Sequence, residues 1–486
     1  METAEHVPSR GAGEASSFSG STRAPSTKSS LGDPRLPKEK GSRHNSEQEA
    51  IHPVRSDSDI NGREGQPPVG FFAGSNEENF DNNADVEKQD LRDERGLNDK
   101  DEEKDPNLVD WDGDDDSGNP LNMPSWKKWL ITCTTGIMTF TVTFASSVFS
   151  TATQATAMQF GVSPEVMVLG TSLFVLGFAF GPIVWGPFSE LYGRKMPLFI
   201  GFFVFAIFQI PVAVAQNLQT IFICRFFGGF FASAPLAIVG GLLADMFGPI
   251  DRGIAIAVFS GATFIGPVAG PIVGGFITMS YLGWRWTAWI TAIMAFSFGI
   301  IGFIVVPETF GPLLLQQRAK KIRHQTKNWA IHSKMDESEV DLKEITEKYL
   351  LRPFTMLALE PILLLITLYM GFIYGFLYLC FEAYPIAFQE DRGWNLGVGA
   401  LPFIAITVGV VCACLFIAYF SKTRFARKLE ANGGTPVPEE RLIPMIVGGA
   451  LLPIGMFWFA WTSNPSIIWV PQVISGGFIG AGKTVE

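Results

Sequence analysis

Cysteine is scarce in this chain of 486 residues: there are five, at 133, 224, 380, 412 and 414, and each lies in an apolar run. That placement argues against a disulfide framework; the thiols read as small hydrophobes. Cys412 and Cys414 stand two apart and point to different faces of a helix, so no metal site is expected there. A charged-then-apolar leader is missing as well, which leaves targeting to the first long apolar run. Charge is missing altogether from Gly261–Gly275, GATFIGPVAGPIVGG, which holds five glycines and two prolines. In water each such Gly costs a helix about 1 kcal/mol and each interior Pro about 3 kcal/mol. In hydrocarbon, unsatisfied backbone is costlier still, so the segment is expected to stay helical. Small residues at 266, 270 and 274 then form a bare stripe for close packing.

What is present falls into two regions that the averages of 47% hydrophobic residues, 17% charged residues and net charge −10 conceal. Residues 1–125 are rich in Ser, Gly, Asp, Glu, Lys and Asn and hold little that could offset ordering entropy, so a disordered tail is expected. From Trp129 onward ten runs are long and apolar enough to span a bilayer: about 129–151, 166–188, 196–216, 219–244, 253–279, 286–306, 361–388, 397–420, 443–463 and 467–482. Lys127, Lys128, Arg194, Lys195, Arg252, nine Lys/Arg in 307–360 and five in 421–442 all fall on one side of that layout. The positive-inside rule makes this side, with the acidic tail, cytoplasmic. The expectation is an all-α integral membrane protein. It comprises a six-helix bundle over 126–306, a cytoplasmic connection over 307–360, and a second, incomplete bundle of about four helices over 361–486.

Between spans two and three runs Gly186-Pro-Phe-Ser-Glu190-Leu-Tyr-Gly193-Arg194-Lys195. Gly193 permits a sharp reversal, Glu190 can pair with a cation on a neighbouring helix end, and such charges beside a membrane suit a latch. Positive-inside anchoring alone would also account for the basic pair. The segment resembles the signature loop of the major facilitator superfamily. Arg225-Phe-Phe-Gly-Gly229 resembles that family's buried-arginine motif. Gly261, Gly266, Pro267, Gly270, Pro271, Gly274 and Gly275 resemble the Gly-Pro motif of its drug:proton antiporter branch. Trp284-Arg-Trp286, Pro307-Glu-Thr309 and Arg392-Gly-Trp-Asn395 resemble fungal multidrug members of that branch. The resemblance spans about 107–480 and implies a twelve-span fold, so the second half would be truncated here by the rest of span ten and two helices. It also implies multidrug efflux, with small molecules leaving as protons enter, and it associates the Gly-Pro run with export and with packing between the halves.

Arg225 stands inside span four, where a fixed charge costs several kcal/mol and needs a reason. Snorkelling to the nearer interface is one; a charge that tunes a protonatable partner is the other, and the resemblance favours it. Glu382 in span seven is the candidate partner for the proton, since a carboxyl in a partly hydrated apolar cavity can load and unload near neutrality. A hydrated residue at the outer mouth is the alternative. Span one carries no acid at all. Tyr369, Phe372, Phe376 and Tyr384 can fall on or near one face of span seven, a surface suited to large apolar or cationic molecules.

Gly477-Phe-Ile-Gly-Ala-Gly-Lys-Thr484 matches the phosphate-loop pattern, but an apolar membrane run precedes it and only Val485 and Glu486 follow. No nucleotide, nucleic acid, metal or other cofactor is therefore expected. The expected partners are the bilayer, a small-molecule substrate and protons, with the chain acting as a monomer in the plasma membrane rather than as an enzyme. A polyamine or nutrient carrier on the same scaffold and a non-transporting membrane sensor remain the alternatives.

Overall fold

The computed structural model describes residues 105–113, 115–337, 351–435 and 438–485. The chain divides into two units, Met1–Asp93 and Glu94–Glu486. The first lies outside the described residues, as does the expected disordered tail up to residue 104. Among the described residues of the second unit, regular structure is helical, and an isolated bridge between Leu108 and His332 is the extended pairing found.

Six helices match the first six expected spans: α1 Ser125–Val148, α2 Pro164–Tyr192, α3 Lys195–Val214, α4 Leu218–Met246, α5 Pro249–Met279 and α6 Arg285–Val305. A helix on the connection, α7 Gly311–Thr326, leads to the second group: α8 Pro361–Tyr384, α9 Phe403–Phe420, α10 Leu442–Trp461 and α11 Trp469–Val485. Nine helices of the described residues are long and apolar enough to cross a membrane; α11, the expected tenth span, is shorter at 17 residues. Local chemistry sets their starts. Pro164, Pro249 and Pro361 open α2, α5 and α8, where the missing N–H is not needed. Asn217 caps α4 by accepting from Thr220 N at 2.9 Å.

The most buried span is also the least hydropathic. In the span Ser125–Phe160, which contains α1, 83% of the spanning window is buried, against 11% in the span containing α8. A helix facing lipid needs an apolar surface, whereas one enclosed by others can carry hydroxyls that are satisfied locally. Thr132, Thr135, Thr139 and Thr143 each donate to the carbonyl four residues back.

The first bundle pairs α2 and α3 with α4, α1 with α5 and α6, and α3 with α6. Its core gathers Phe174, Phe202, Phe205, Ile238 and Leu242. In the second group, α9 and α10 pack on α11, around Phe381, Tyr384, Phe403 and Ile406. Val268 of α5 joins that second core, and α5 also lies along α9, so α5 is common to both groups.

The glycine stripe of α5 divides its partners accordingly. A Cβ on Gly266, Gly270 or Gly274 would collide with Thr143, Ser147 or Thr151, one hydroxyl residue of the first-span segment per glycine and one turn apart. Gly261 and Gly275 face the second group, at Cys414 and Leu396. Packing between the halves therefore falls to Gly261 and Gly275, while the 266-270-274 stripe closes the first bundle on itself.

Residues 105–124, expected within the disordered tail, meet the connection instead. Arg318 of α7 is ion-paired with Asp112 and Asp116, and Val109 N donates to His332 O at 2.9 Å. Asp112 and Asp116 of that expected tail thus share one guanidinium.

Candidate functional site

α1 ends at Val148 and passes through a tight turn, Phe149–Ala152, into a further helix, Thr153–Phe160. Hydroxyls explain the break. Ser146 Oγ donates to Thr143 O at 2.7 Å, Ser150 Oγ to Ser147 O at 2.8 Å, and Thr151 Oγ1 to Val148 O at 2.8 Å. Such back-bonding bends helices, and a tight turn inside one loosens the ordinary carbonyl ladder.

Arg225 binds other carbonyls, two of them just before this break. Its side chain, only 2% exposed, donates from Nε to Gly170 O at 2.9 Å, from Nη1 to Ala145 O at 2.8 Å and from Nη2 to Ser146 O at 3.2 Å. The rings of Phe149 and Phe174 lie 4.8 and 4.5 Å from the guanidinium carbon. Arg225 is thus held inside the first bundle by carbonyl dipoles and aromatic faces, tying α4 to α1 and α2; it does not snorkel.

Beside this lies a cavity of about 780 Å³ between the bundles. Thr143 and Ser150, Thr171 of α2 and Pro267 of α5 form one wall; Tyr374, Tyr378 and Glu382 of α8 form the other. Glu382 also lines a second cavity, of about 870 Å³, with Gln154, Glu165 and Glu390, on the side away from the connection. The two volumes meet at Ser150, Val168, Phe381 and Glu382, so the carboxylate stands exposed at their junction. Arg225 and Glu382 occupy different compartments; the α1 backbone that binds Arg225 separates them.

Tyr369, Phe372 and Phe376 line a separate apolar hollow of about 430 Å³ between α8 and α10. Tyr384 is buried between Phe403 and Phe459, with ring centroids at 4.3 and 4.8 Å. The aromatic residues of α8 at the central cavity are Tyr374, Tyr378 and Phe381. Stepping back from Glu382 by threes and fours gives 378, 375, 374 and 371, so that face was legible from the carboxylate once it, and not ring density, was taken as the origin.

At the connection end, Gly193 adopts φ +85, which only glycine takes without strain. Arg194 then pairs with Asp245 at 3.2 Å and donates from Nη1 to Ser189 Oγ at 2.8 Å. Glu308 accepts from the backbone N–H groups of Arg194 and Lys195 at 2.9 and 3.1 Å, a carboxylate at the N-terminus of α3. Lys195 Nζ rests 4.8 Å from the Phe303 ring centroid. Glu190 is exposed and Gly186 has open space around it. The acceptors around Arg194 and Lys195 are Asp245 and Glu308, whose side chains come from segments far away in sequence.

The phosphate-loop look-alike is part of helix α11. A Cβ on Gly480 or Gly482 would strike the Ile406 or Leu452 backbone, so these glycines serve helix packing.

Two helical groups enclosing a largely apolar cavity that carries a few hydroxyls and one carboxylate, with a broken helix beside it, fit a membrane transporter. The sequence matches the Major Facilitator Superfamily over residues 135–484, and the chain belongs to that family. It is 58% identical over 376 residues to the citrinin biosynthesis cluster MFS transporter mrr1 of Monascus ruber, covering 77% of this chain and 75% of that one. It is 47% identical to the cercosporin MFS transporter CTB4 of Cercospora nicotianae, covering 77% and 73%. Among solved structures, the proton:xylose symporter XylE shares the fold, with TM-score 0.53 and 17% identity over 75% of this chain and 80% of the other.

Proposed function

We propose that this transporter exports hydrophobic or cationic aromatic compounds in exchange for protons. The observation that carries the reading is Glu382. It is the carboxylate of the central cavity, exposed at a junction whose other walls are hydroxyls, aromatic rings and apolar side chains. A carboxylate that charges and discharges there can trade a proton for a cationic or dipolar ligand, and the tyrosine faces supply area and ring quadrupoles. Arg225 acts from its own compartment, across the α1 backbone, as the fixed charge of the first bundle, with Gly193, Arg194 and Lys195 serving as a latch at the connection end. That end is cytoplasmic by its basic residues, the membrane is the plasma membrane, and the chain works as a monomer. Relatives named for citrinin biosynthesis and for cercosporin support a secondary metabolite as natural cargo, with multidrug efflux as its broader expression. A polyamine carrier is the second reading, favoured by Glu165 and Glu390 around the cavity away from the connection.

The test is accumulation of ethidium in a drug-sensitive host. Expression is expected to lower it, and Arg225→Ala to abolish that effect at equal membrane abundance. Undiminished efflux by Arg225→Ala removes the arginine from the mechanism; unchanged accumulation with the wild type argues against export.

A further inference from the structure

Ser146 is used twice. Its carbonyl accepts from Arg225 Nη2, while its hydroxyl, which donates to Thr143 O, accepts from Tyr378 of α8 at 3.1 Å. Tyr378 belongs to the second group of helices and Ser146 to the first, so this hydrogen bond joins the two groups at the edge of the central cavity. It lands on the residue that holds the buried arginine, next to the break in α1.

Helical spacing offers Tyr378 an alternative acceptor on its own helix. Glu382 is one turn further along α8, on the same face and lining the same cavity, and helical side chains lean toward the preceding turn. An ionised carboxylate accepts a phenolic proton more strongly than a serine hydroxyl does, whereas a protonated carboxyl loses much of that advantage. Other titratable groups facing Glu382 are Tyr374 on α8, and Glu165 of α2 and Glu390 in the adjoining cavity. The segments from α1, α5 and α9 that line these cavities contribute no charged side chain.

We infer that Tyr378 is a positioning residue that couples the two bundles by exchanging its hydrogen bond between Ser146 and Glu382. With Glu382 protonated, the phenol stays on Ser146 and ties α8 to the α1 segment that binds Arg225. With Glu382 ionised, the phenol turns to the carboxylate and α8 is released from α1. The hydroxyl-rich break at Phe149–Ala152 supplies the compliance that such a release needs. The one bond made and broken is the carboxyl O–H of Glu382, whose proton comes from and returns to cavity water. The inference rests on Glu382 carrying the coupled proton, as proposed above.

The test compares wild type, Tyr378→Phe, Ser146→Ala and the double variant in proteoliposomes, reading ethidium transport with and without an imposed pH gradient. Tyr378→Phe keeps the ring and removes only the hydroxyl; Ser146 lies outside the cavity lining and keeps its carbonyl on Arg225. Each single variant is expected to lose gradient stimulation by a factor of about five to ten, the worth of one hydrogen bond. The double variant is expected to lose no more than either single one. Wild-type stimulation that persists in Tyr378→Phe, or losses that multiply in the double variant, overturns the exchange alone. A wild type indifferent to the gradient overturns the proton-coupled reading and the exchange together.

Discussion

Thr143 Oγ1 in α1 occupies the volume that a Cβ on Gly266 of α5 would need, and Phe140 O lies 2.7 Å from the same point. The relation repeats one turn on at Ser147 and Gly270, and again at Thr151 and Gly274. Hydroxyl residues set over glycines let two helices approach closely where lipid gives no hydrophobic drive, so dispersion and fit carry the contact.

A methyl added to that seam should overpack it. Gly270→Ala is expected to destabilise the protein by about 1–3 kcal/mol, and Ser147→Gly to restore much of the loss. Gly186→Ala in α2, where nothing lies within 4 Å, is expected to be neutral or stabilising by up to about 1 kcal/mol. Thermal unfolding in detergent measures the three; equal shifts for Gly270→Ala and Gly186→Ala would remove the seam from the account.

At the connection end, stability should depend on Glu308 and not on Glu190. Glu308 accepts from four backbone N–H groups, those of Arg194, Lys195, Thr309 and Phe310, at 2.9, 3.1, 2.9 and 3.0 Å. Glu308→Ala is expected to cost about 2 kcal/mol, since it orphans several donors at once. Glu190→Ala, at an exposed position, should stay within about 0.5 kcal/mol. The same unfolding assay ranks them.

The segment around Val109 should loosen with rising pH. His332 donates from Nδ1 to the Ala330 carbonyl, 2.8 Å away, and from Nε2 to Glu337, 2.7 Å away, and these contacts raise its pKa above 6.5 in that order. A raised folded-state pKa gives stability that is complete below 6.5 and is lost as pH climbs through the raised value. Asp116 behaves in the opposite sense. Backbone N–H groups of Asp112 and Gly118, then Arg318, lower its pKa to about 2, so its contribution is present above 3.8 and persists across this range. Hydrogen exchange at the Val109 and His332 amides, corrected for intrinsic rates, is expected to quicken above neutrality while Arg318 stays paired. His332→Gln should flatten the profile; an unchanged profile in that variant assigns the effect elsewhere.

The helices were legible because a bilayer imposes one solution on apolar runs, and Arg225 was legible because a charge inside one needs a partner. Which partner was another matter. Its ligands are main-chain carbonyls at 145, 146 and 170, and carbonyls carry no side-chain signature. Ring density in α8 pointed to Tyr369, Phe372 and Phe376, yet rings also cover apolar hollows, and only helical phase relative to Glu382 separates the two faces. The pairing of Asp112 and Asp116 with Arg318 joins segments about two hundred residues apart, beyond any window of composition.

Proton-coupled export is tested most directly by ethidium efflux from proteoliposomes carrying the wild-type chain, with the medium outside made acidic. Coupling through Glu382 requires efflux that rises with the gradient, stops when nigericin collapses it, and becomes independent of it in Glu382→Gln. Efflux that proceeds equally with and without the gradient, or a Glu382→Gln variant that still follows it, would contradict coupling through this carboxylate.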